Sequence, residues 1–84
     1  MAREIESVHT FTHKSHQFGL AKETTVVRCD DGAIYEFVRP EDQPNHRLSR
    51  RFQPDGELST SRGVLPAAVK ETVNNLFGES KWSK

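Results

Sequence analysis

The densest run of β-branched and aromatic residues covers residues 24–40, T-T-V-V-R-C-D-D-G-A-I-Y-E-F-V-R-P. Two runs of β-branched and aromatic residues are split there by Asp30-Asp31-Gly32, the pattern of a β-hairpin. The segregation of side chains selects its register. A two-residue Asp31-Gly32 loop sets Cys29 opposite Ile34 and Val27 opposite Glu36, mixing apolar and charged groups on both faces. A three-residue loop of Asp30, Asp31 and Gly32 instead pairs Cys29 with Ala33, Val27 with Tyr35 and Thr25 with Phe37. One face then carries Thr25, Val27, Cys29, Ala33, Tyr35 and Phe37, and the other Thr24, Val26, Arg28, Ile34, Glu36 and Val38. A slip of one residue exchanges the faces wholesale, so the second register is the expected one. Gly32 suits the left-handed position that ends such a turn, and Pro40 the end of the second strand.

The flanking segments are read the same way. Residues 4–13 alternate weakly, with Ile5, Ser7, His9, Phe11 and His13 on one side and Glu6, Val8, Thr10 and Thr12 on the other, and predict a strand. Residues 14–19 predict a connection, anchored by Phe18 and Leu20, and 41–45 an exposed loop. Residues 47–53 predict a further strand with Leu48 and Phe52 facing inward. Pro54-Asp55-Gly56 then forms a turn, and 57–61 a short return strand with Leu58 opposite Phe52.

The period changes at residues 65–77. Leu65, Val69, Val73, Leu76 and Phe77 form a one-sided helical stripe, with Pro66 at the first helical position and Gly78 as the stop. Burying each stripe residue contributes on the order of 1.5–3 kcal/mol before chain entropy is charged. Lys70, Glu71, Asn74 and Asn75 face water on this reading. The only cover for an apolar sheet face is this stripe. The expected fold is therefore α+β, an antiparallel β-meander of four or five strands with one C-terminal α-helix packed on it. A small barrel closed by the helix is the alternative.

Composition narrows the picture. A chain of 84 residues, 33% of them hydrophobic, makes a single small domain with a thin core, ordered over about 4–78 with 79–84 as a tail. Twelve basic residues balance twelve acidic ones, so no global field favours nucleic acid or an anionic membrane. One cysteine excludes an intrachain disulfide, and no segment has the apolar length of a signal peptide or membrane span. A cytoplasmic location without membrane attachment is the expectation, and a thin core makes a homodimer plausible.

Candidate chemistry is sparse. His9, His13 and His16 have a spacing that on a helix would converge on zinc, but on a strand His9 and His13 lie about 13 Å apart. No metal site and no cofactor are expected. Arg39, Arg47, Arg50, Arg51 and Arg62 gather around the second hairpin, where Phe52 offers a stacking surface for a base, which makes a nucleic-acid-binding module the alternative function. Glu41, Asp42, Asp55 and Glu57 flank the cluster and offer it local partners. Trp82, alone in a polar tail, either folds back on the core or docks on a partner. No nucleophile elbow, phosphate loop, Cys-x-x-Cys pair or His-Glu-x-x-His occurs, so no catalytic residue is assigned and no enzyme is expected. The leading reading is a noncatalytic interaction module that binds a protein partner or itself. Its contact residues are Val26, Ile34, Val38 and Trp82, because a second apolar sheet face needs a covering layer or a partner.

Overall fold

A computed structural model describes residues 4–14, 19–60, 63–79 and 81–83. Strands β1 (Ile5–Lys14), β2 (Ala21–Cys29), β3 (Ile34–Pro40), β4 (His46–Phe52) and β5 (Leu58–Ser59) follow one another as antiparallel neighbours. Helix α1 (Ala67–Phe77) comes next, and a two-residue strand β6 (Trp82–Ser83) then pairs in parallel with the start of β4. The fold is the α+β meander that the pattern of residues implies.

The hairpin between β2 and β3 has the three-residue loop. Cys29 N–H donates to Ala33 O at 2.8 Å, Gly32 N–H donates to Cys29 O at 3.0 Å, and Val27 stands opposite Tyr35. Gly32 has φ +96°, a conformation that favours glycine, and a Cβ there would crowd the Pro54 carbonyl oxygen at 3.1 Å.

The core lies between α1 and one sheet face. Val27, Cys29, Ala33, Tyr35 and Phe37 from the hairpin meet Leu65, Val69 and Val73, all nearly or fully buried, with Ile5, Leu48, Phe77 and Trp82 packed around them. The helix differs from expectation at both ends of its stripe. Pro66 is the N-cap rather than the first helical residue. Leu76 is 51% exposed. Successive residues step 100° around a helix, so with Val69 and Val73 facing the sheet, Leu76 and Phe77 fall on opposite flanks. Phe77 takes the flank packed on His46 and Phe37, and Leu76 the opposite, exposed one. Gly78, at φ +95°, ends the helix as expected. Lys81 O then accepts from His46 N–H at 3.0 Å, which returns the chain to the sheet edge.

Two register shifts correct the expected faces. Between Ile5 and Ser7 the pairing with β2 slips, so Ile5 packs on the core instead of siding with Ser7, His9 and Phe11. In β4, Arg50 stands opposite Glu36 and Leu48 opposite Phe37, which leaves Ser49 as the extra residue of a bulge. Leu48 therefore faces the core and Phe52 the opposite side, although alternation alone puts both inward. Leu20, expected to anchor the loop before β2, is 44% exposed, and Phe18 lies outside the described residues.

Candidate functional site

The sheet face away from α1 is built from three cross-strand rows. Phe11, Thr24, Val38 and Arg47 form the first. His9, Val26, Glu36 and Arg50 form the second. Ser7, Arg28, Ile34, Phe52 and Leu58 form the third. The helix packs on the other face, and of these rows only Thr24, 6% exposed, is buried. Val26, Ile34 and Val38 are half-buried by their neighbours, Phe11 is 43% exposed and Leu58 56%. The face mixes apolar and charged positions: Glu36 lies between Ile34 and Val38, with Arg50 Nη2 2.8 Å from its Oε1, and Arg28 Nε lies 3.3 Å from Glu6 Oε2. The Arg50 guanidinium also sits 5.6 Å from the Phe52 ring centroid. A surface hollow at one end is lined by Val38, Pro40, Pro44 and Arg47.

Val26, Ile34 and Val38 are thus together on one face, as the hairpin register requires. Phe11, His9 and Phe52 join them, and these three were not assigned to the site from sequence. The alternation in β1 already set His9 with Phe11. What was missing was the pairing of β1 with β2, which places His9 against Val26 and Phe11 against Thr24.

Trp82 lies elsewhere. Its ring is edge-on to Phe37 at 5.8 Å, and its indole N–H donates to Asn74 Oδ1 at 2.7 Å. Asn74 is accordingly half-buried rather than facing water. Beside Trp82, His46 is 8% exposed. Its ring stacks on Phe77 at 3.6 Å and 8°, and Nε2 is 2.8 Å from Glu23 Oε1. This aromatic group ties the end of α1 and β6 to the sheet.

The arginines do not converge. Arg47 and Arg50 stand on the open face, whereas Arg51 stands on the helix side over the Tyr35 ring and donates to Gly63 O. The β4 bulge causes this split; uninterrupted alternation would put Arg47 with Arg51. Arg39 is also on the helix side, donating to Gln43 O at 3.0 Å with Glu23 at 3.9 Å. Arg62 lies outside the described residues, as does His16. His9 and His13 flank the Phe11 ring, with centroids 5.9 and 6.2 Å from it. Among the described residues no three histidine, cysteine or carboxylate groups gather as a metal ion requires. Cys29 is buried in the core. No helix of the described residues is long and apolar enough to cross a membrane.

No family model, curated protein or solved structure matches the chain. The functional reading therefore rests on the geometry of the open face.

Proposed function

We propose that the chain is a small noncatalytic interaction module that binds a protein partner, or a second copy of itself, and that the open sheet face receives a partner. The observation that carries this reading is the uncovered face itself. Val26, Ile34 and Val38 surround Glu36 on one face, with Phe11 and Phe52 beside Val38's and Ile34's rows, and α1, the only helix among the described residues, is spent on the other side. Sheet faces with this much adjacent apolar surface mark contact sites. The charge on the face is locally balanced: Arg50 and Glu36 neutralise each other within it, and Arg47 and His9 offer donors beside the apolar residues. Nucleic acid is the weaker reading, because Arg39 and Arg51 point away from Arg47 and Arg50 and, among the described residues, no single positive surface forms.

The test compares capture of partners from cells that make the protein by three forms. Wild type and a Glu71→Lys variant on the outer surface of α1 are expected to retain the same partners. A Val26→Glu/Ile34→Glu variant, verified as folded, is expected to lose them. Partners indifferent to the open-face charges, or none for any form, contradict the proposal.

A further inference from the structure

We infer that the outer edge of β1 pairs antiparallel with β1 of a second copy, about a two-fold axis through Thr10. This deepens the interaction reading by naming one partner, and it uses the edge of the sheet rather than its open face. β1 is ten residues long and, among the described residues, pairs only with β2. From Glu6 to Lys14 every residue is exposed. The opposite margin of the sheet ends in two-residue strands, too short to template another chain. β1 has no such protection: residues 7–13 contain no proline, lysine or acid.

The register follows from hydrogen-bond alternation. Cys29 N–H points at β3, so the odd residues of β2 bond β3 and the even ones bond β1. Ser7, His9, Phe11 and His13 stand opposite Arg28, Val26, Thr24 and Lys22, and they use their peptide groups on β2. The peptide groups of Val8, Thr10 and Thr12 therefore point out of the sheet edge.

These three are symmetric about Thr10. A two-fold axis there sets Thr10 opposite Thr10 of the second copy and Val8 opposite Thr12. On the open face it sets His9 opposite Phe11, which continues across the seam the row already formed by His9, Phe11 and His13. The antiparallel sense lays the acidic end of one strand, Glu4 and Glu6, beside the Lys14 end of the other. A formal net charge of 0 means that two copies do not repel. Rotation about an axis normal to the sheet keeps both helices on one side.

Sedimentation equilibrium of the full chain is expected to give twice the 9.6 kDa monomer mass. In a mixture of isotope-labelled and unlabelled chains, intermolecular contacts are expected between His9 Hα and Phe11 Hα. Val8→Lys/Thr12→Lys places two like-charged pairs across the seam and is expected to raise the dimer dissociation constant about tenfold or more. Val8→Lys/Thr12→Glu restores opposite charges at the same positions and is expected to recover dimerisation. A chain that sediments as a monomer at the highest attainable concentration overturns the inference, as does a dimer indifferent to these charges. Either result leaves the open-face reading to its own capture experiment.

Discussion

Val26 and Val27 are adjacent on β2 and belong to different environments. Val27 has no exposed surface and packs under α1, whereas half-buried Val26 sits between His9 and Glu36 on the face away from the helix. The same contrast repeats in β3 between buried Phe37 and half-buried Val38. The backbone, strand order and twist are common to both faces, so only the covering layer separates them. Stability should therefore be concentrated on the helix side, and substitutions on the open side should act mainly on contacts with other chains.

The largest expected effect tests that division directly. Phe37 is fully buried and meets Phe77 and Trp82 edge-on, so Phe37→Ala should cost about 3–5 kcal/mol in urea unfolding or prevent folding. Phe52→Ala, on the open face, should cost about 1 kcal/mol. Equal losses would erase the distinction between the faces.

His46 tests how the closed side is held at its end. Replacing it by alanine removes the stack on Phe77 and the bond to Glu23, and leaves that carboxylate unpartnered on the His46 side. A loss of about 2 kcal/mol is expected, together with faster amide exchange in Trp82 and Ser83, whose strand pairs at His46. Unchanged exchange there would mean that β6 is held independently of His46.

The smallest effect sharpens the helix contribution. Val73→Ala should cost roughly 2 kcal/mol, and Leu76→Ala less than about 1 kcal/mol, although both belong to one apolar stripe in sequence. A larger loss at Leu76 in thermal unfolding would place it in the core of the folded chain.

Much of the fold was legible because it depends on local rules. Hairpin register followed from segregation of side chains and from Gly32, and the helix followed from its period and its glycine stop. The open face was legible as far as it depended on that register, which is why Val26, Ile34 and Val38 were identified together. What escaped depends on distant partners. The bulge at Ser49 has no signature in composition, yet it moves Phe52 and Arg50 to the open face and separates Arg47 from Arg51. The slip at Glu6 likewise turns Ile5 into the core. Trp82 and His46 acquire their roles from Asn74, Phe77 and Glu23, and only folding brings His46 beside the last two. The basic segment around His46 looks alike in sequence whether its residues bind a ligand or lock a helix end.

The most direct measurement is relaxation of side-chain methyl protons by a soluble nitroxide, read residue by residue on the full chain. The account predicts strong broadening at Val26, Ile34 and Val38, and protection at Val27, Val69 and Val73. Equal protection of both groups, unchanged on dilution, would mean that the second face is covered within the single chain. Equal broadening would mean that α1 does not close the first.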